Sequence, residues 1–69
     1  MNTQTIGETA GLIWSYLSQN GKTTLKMLER DVEVPPDTLL MAVGWLAREG
    51  KLDLAQEKRS VFLWLVDPK

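Results

Sequence analysis

The hydrophobic positions of the first twenty residues repeat with helical spacing. Ile6, Ala10, Ile13, Trp14 and Leu17 fall at i, i+4, i+7, i+8 and i+11, one face of a helix. This stripe predicts a helix with all five side chains, Trp14 included, in the core. Thr5 followed by Glu8 fits a capping box, in which each side chain takes up a backbone N–H of the first turn. Asn20-Gly21 marks the end, because glycine adopts the left-handed conformation that closes a helix.

The pattern then shortens. Lys22-Thr23 has room for a minimal strand, and Thr24 suits the N-cap of a second helix with Leu25, Leu28 and Val32 as its apolar stripe. Lys26, Glu29, Arg30 and Glu33 fall on the water side. Val34-Pro35 closes this helix, since proline disfavours helix in the residue before it. Pro36 suits the first turn of a third helix, where a missing N–H costs nothing. Leu39, Val43 and Leu46 form its core stripe, Ala42 lets a neighbour approach, and Gly50 ends it. From Lys51 to Ala55 the period changes to two, with Leu52 and Leu54 on one side. Gln56-Glu57-Lys58-Arg59 reads as a polar hairpin tip, Ser60 to Val66 as the returning strand, and Asp67-Pro68-Lys69 as a frayed end.

Helix, extended link, helix, turn, helix and hairpin is the order of a winged helix-turn-helix. The fold class is therefore α+β, with three helices followed by a two-stranded wing. A single domain spans residues 1–69, with its core between about 6 and 66. The run Ala42-Val43-Gly44-Trp45-Leu46-Ala47-Arg48-Glu49-Gly50-Lys51-Leu52 resembles the third-helix signature of a family of short, stand-alone bacterial and archaeal winged-helix proteins with no assigned function. The resemblance extends over Ile6 to Val66. It implies the fold, and with it a DNA-binding or transcription-associated role. From Val34 to Trp64 the chain also resembles, in outline, the winged helices that bind left-handed DNA. Their Asn and Tyr contact positions fall on Leu40 and Gly44 here, and Val61-Phe62 replaces the proline pair of their wing. Trp64 alone matches among the contact residues, so that activity is not carried over.

Composition narrows the chemistry. Sixty-nine residues, 43% hydrophobic, bury only about 60% of the unfolded surface, so the reserve of stability is small. There is no cysteine and no histidine, which removes disulfides, thiol nucleophiles, imidazole catalysis and Cys or His metal sites. No cofactor or metal is expected. The nine carboxylates are scattered, and a chain of this size has little room for a deep pocket, so no enzyme is expected. Asn20-Gly21-Lys22-Thr23 looks like the end of a phosphate loop, but the glycine that would open one is missing. No leader or membrane segment is expected, because the N-terminus has no basic-then-apolar run and the longest apolar stretch is Val61 to Val66. The cytoplasm is the expected location.

Two partner classes remain, nucleic acid and protein. Eight basic against nine acidic residues give a net charge of −1, a balance that counts against a dedicated nucleic-acid binder. The outward side of the third helix should carry Pro36, Asp37, Thr38, Leu40, Met41, Gly44, Trp45 and Arg48, of which only Arg48 is basic. Base readers such as Arg, Lys, Asn and Gln are absent from Pro35 to Ala47. The candidate nucleic-acid contacts are Lys22, Lys26, Arg30, Arg48, Lys58 and Arg59, and the binding they support is weak and non-specific. The candidate protein interface is Leu40, Met41, Trp45, Phe62 and Trp64. The last strand is apolar on both faces, with Val61, Leu63 and Leu65 on one and Phe62, Trp64 and Val66 on the other. The helices can cover one face. The other needs the N-terminal residues 1–6, Trp45 or a second copy of the chain, and a homodimer is expected.

Overall fold

A computed structural model describes residues 2–66. The order of elements is α1 (Thr3–Asn20), β1 (Thr23–Thr24), α2 (Leu25–Asp31), α3 (Pro36–Arg48), β2 (Leu52–Glu57) and β3 (Ser60–Leu65). The three helices and the wing are those expected. The tripeptide Asp67-Pro68-Lys69, read as a frayed end, lies outside the described residues.

The core is a single cluster. Ile6, Ala10, Ile13 and Leu17 of α1 meet Leu28 and Val32 of the second helical segment, Leu39, Ala42, Val43 and Leu46 of α3, and Leu52 and Leu63 of the wing. Trp14 does not join it. It is 46% exposed, a correction to the sequence reading. At 3.6 residues per turn, Trp14 lies about 70° round the helix from the centre of the Ile6–Leu17 stripe, beside Gly7, Gly11 and Ser18. Thr9 takes the other flank of the stripe and is 3% exposed. Thr38, expected on the outward side of α3, is also buried. It stands one turn before Ala42, and so on the core side of the helix.

The helix ends show which local signals act. The capping box at Thr5 and Glu8 does not form, because α1 begins one turn earlier. Asn2 is the N-cap, and its Oδ1 accepts from Thr5 N–H at 2.8 Å and from the Thr5 hydroxyl at 3.0 Å. Gly21 ends α1 with φ 75° and ψ −158°. This is not the left-handed helical region expected but a corner of backbone space open almost only to glycine. Thr24 caps α2 as expected, accepting from Met27 N–H. At the end of α3, Gly50 N–H donates to Ala47 O and Lys51 N–H to Leu46 O, with Gly50 at φ 73°. These two bonds make a Schellman closure.

The sheet is antiparallel with order β1-β3-β2. The first strand falls one residue later than expected, at Thr23–Thr24, and pairs with Leu63 and Phe62. The wing runs from Leu52↔Leu65 to Glu57↔Ser60. Its tip is therefore two residues rather than four, and Lys58 turns the chain at φ 56°. Val66 N–H donates to Lys51 O, which fixes the alternation of the ladder. Asp53, Ala55 and Glu57 turn their backbone groups toward β3, while those of Leu52, Leu54 and Gln56 lie on the open edge. Leu54 N–H on that edge is taken by the Asp53 carboxylate at 2.8 Å.

Candidate functional site

In this fold two surfaces stand out from the body, the outward face of α3 and the wing. On α3 the outward line runs Asp37, Leu40 and Met41, Gly44, Trp45 and Arg48, all exposed. Leu40, Met41 and Trp45 are 53%, 51% and 47% exposed, although they sit on a helix whose other side is fully packed. A helix apolar on both sides has either a cover or a partner. Gly44 interrupts the line with open space above it, since a Cβ there would meet nothing within 4 Å. Asp37 occupies the first turn and Arg48 the last, where their charges suit the helix dipole.

The outer face of the sheet carries Phe62 and Trp64, both half-buried. Within the chain, Lys22 stands over them, a contact not expected from the sequence: its ammonium lies 5.2 Å from the Phe62 ring centre and 5.1 Å from that of Trp64. The residue preceding β1 thus sets a cation over two rings. The signal was present in the alternation Lys22, Thr24 against Trp64, Phe62, but it needs the β1–β3 register to be read.

The remaining candidate cations are dispersed. Lys26 and Arg59 line one shallow depression between α2 and the wing, together with Thr24, Leu25, Glu29, Ser60 and Val61. Glu29 offsets part of their charge. Lys58 occupies the wing tip beside Arg59. Arg48 stands at the far end of α3. Among the described residues none of Lys26, Arg48, Lys58 and Arg59 has an ion-pair partner. Arg30 does. Its Nε donates to Asp31 Oδ1 at 2.9 Å and its Nη2 to Oδ2 at 3.4 Å, while the Tyr16 hydroxyl donates to the same Oδ2 at 2.7 Å. The Arg30 guanidinium, and then the Tyr16 hydroxyl, hold the Asp31 carboxyl below its ordinary value. The phenol of Tyr16 is raised, chiefly by that same hydrogen bond. This cluster ties α1 to the end of α2 and removes Arg30 from the free cations.

Among the described residues no group of three or more carboxylates could hold a metal ion, and no helix is long and apolar enough to cross a membrane. The model of the winged helix-turn-helix domain DUF2582 matches residues 1–65. The chain belongs to this family. A DUF2582 chain is thus the setting for the apolar α3 described above. The chain is 33% identical to "Uncharacterized protein MJ1608" of Methanocaldococcus jannaschii over 67 residues, 93% of this chain and 90% of the relative. Its fold is similar to that of a structure from a study of the DNA recognition and protein interaction domains of HOP2. The TM-score is 0.68 at 21% identity, covering 84% of this chain and 98% of that one. At that identity the likeness shows that the DUF2582 chain shares the fold.

Proposed function

We propose that this DUF2582 protein is a non-catalytic, cytoplasmic protein-interaction module that docks through the outward face of α3. One observation carries the reading. The helix that a winged helix-turn-helix lays in the major groove here presents Leu40, Met41 and Trp45, each about half exposed, with a single cation at its end. Such side chains gain by leaving water against another apolar surface, and apart from the Trp45 indole N–H they supply no donor to phosphates or base edges. The study from which the HOP2 structure comes concerns both DNA recognition and protein interaction, so the fold is compatible with either use.

A photoreactive amino acid at Met41 tests the reading in extract, with the adducts identified by mass spectrometry. A defined protein adduct that is lost with Trp45→Glu supports it. A nucleic-acid adduct overturns it.

A second reading rests on the approach of Lys26 to Arg59 across one depression. It is weak, sequence-independent contact with DNA beside the wing. Anisotropy titration of pooled random duplexes at ~150 mM salt tests it, with a shallow dependence of affinity on salt expected because few phosphates are neutralised. Binding unchanged by Lys26→Glu with Arg59→Glu would remove this reading.

A further inference from the structure

The outward face of α3 is complementary to itself. Asp37, Gly44 and Arg48 lie on one line along the helix, with Met41 and Trp45 on one flank of it and Leu40 on the other, since Leu40 and Trp45 stand about 140° apart at 3.6 residues per turn. If a second α3 is laid against it antiparallel, with the two-fold axis passing between residues 42 and 43, each residue meets a fixed counterpart. Asp37 meets Arg48 of the other copy. The two-fold sets each flank against the same flank of the other copy, so Met41 meets Trp45 on one flank and Leu40 meets Gly44 on the other. Opposite charges fall at both ends of the contact, Met41 and Trp45 pair on each side of the axis, and Leu40 enters the space above a residue with no side chain. The helix dipole accounts for an acid at the start of α3 and a base at its end. It does not account for both charges standing in line with Gly44 between the flanking apolar residues, nor for the gap at Gly44 opposite Leu40.

We infer that the partner of this face is a second copy of the chain, joined by antiparallel packing of α3 on α3 about a two-fold axis. The inference rests on the docking role proposed for this face and names its occupant. Closed two-fold pairs require a patch that complements itself, and this one does so in charge, in shape and in apolar character. Gly44 lets the two helix axes approach at the lower end of the usual 8–10 Å range. The exposed apolar surface of Leu40, Met41 and Trp45 is on the order of 300 Å², as large as the main patch of an ordinary monomer. The pair therefore falls in the class of small, transient interfaces below ~1,200 Å², and it exchanges with monomer at micromolar concentrations.

Sedimentation equilibrium of the full chain from ~5 to ~500 µM reads the association directly. The expected result is a shift from 7.8 kDa toward twice that mass with rising concentration. Asp37→Arg alone and Arg48→Asp alone should each weaken association about tenfold, because like charges then face each other twice per pair. An equimolar mixture of the two single variants should associate again as a heterodimer. The double variant should associate as a homodimer. Gly44→Gln should abolish association by filling the space that Leu40 of the other copy enters. It leaves the monomer intact, since nothing lies within 4 Å of the new Cβ, and glutamine is the better helix former.

A dimer that survives Gly44→Gln with the fold preserved overturns the arrangement. So does association that ignores the charge exchanges. A single species at 7.8 kDa at every concentration, alongside a Met41 adduct to a different protein, overturns the second copy as partner and leaves the docking role standing. A Met41 adduct to nucleic acid removes the docking role itself.

Discussion

Replacing Leu46 by alanine tests the phase of α3 and the size of the core together. Leu46 is 4% exposed and packs in the cluster that α3 forms with α1 and the wing. Truncation deletes three buried carbon atoms and leaves a cavity that the surrounding helices fill only in part, at a cost of ~2–5 kcal/mol. A folded chain of this length holds roughly 3–10 kcal/mol in total, so the loss is about a fifth of the stability or more. At ~4–8 °C per kcal/mol for a domain of this size, a loss of ~3 kcal/mol lowers the Tm by ~12–24 °C. The paired control is Leu40→Ala, six residues earlier on the same helix and 53% exposed. It should stay within ~0.5 kcal/mol of the parent. Both are read by circular dichroism melting and urea titration at a few micromolar protein, where monomer predominates. A fall of less than ~4 °C for Leu46→Ala, or equal shifts for the two variants, would refute the assignment of this face to the core.

The other predictions concern the ends of α1 and α2 and the wing. Asn2→Ala should cost ~1 kcal/mol by removing the cap that accepts from Thr5, whereas Glu8→Ala should be neutral, and thermal melts distinguish the two. Asp31 is held below its ordinary value of 3.8, so the stability it contributes is complete above that value and is lost as the pH falls through the lower folded-state pKa. Tyr16→Phe removes one of its two hydrogen-bonding partners and should raise the carboxyl pKa, as read by NMR titration of the Asp31 side chain. For Tyr16 the sign is opposite. Its raised phenol contributes below the ordinary value of 10.0, and that contribution is lost as the pH rises through the folded-state pKa. Lys58→Gly relieves a left-handed backbone at the wing tip, worth ~1 kcal/mol after the entropy of the added glycine, and should raise the Tm by a few degrees.

Most of the fold was legible because each element carries its own signal. The Leu39–Val43–Leu46 stripe, Pro36 at the start of α3, Gly50 at its end and the change of period at Leu52 each report a local constraint that the packed chain keeps. What failed depended on distance. Trp14 sits at the margin of a helical stripe, and whether such a residue is covered depends on how far the next helix reaches round. Thr5 and Glu8 have capping chemistry, but Asn2 has it one turn earlier. The candidate site was legible as a list and not as a grouping. Leu40, Met41 and Trp45 share one face because helical spacing puts them there. The pairing of Lys22 with Phe62 and Trp64, and of Arg30 with Asp31 and Tyr16, depends on contacts between elements far apart in sequence.

β3 is the last of the described elements and the middle strand of the sheet. During synthesis β1 and β2 are both made before the strand that joins them exists. A nascent chain that has reached Arg59 holds all three helices but lacks Leu63, the fully buried wing residue on which they close. Its apolar stripes can collapse together, yet neither edge of the future sheet has a hydrogen-bonding partner. Completion of the domain is therefore a late, concerted step that waits for β3 to emerge, and a ribosome paused in the wing holds the chain with its core open.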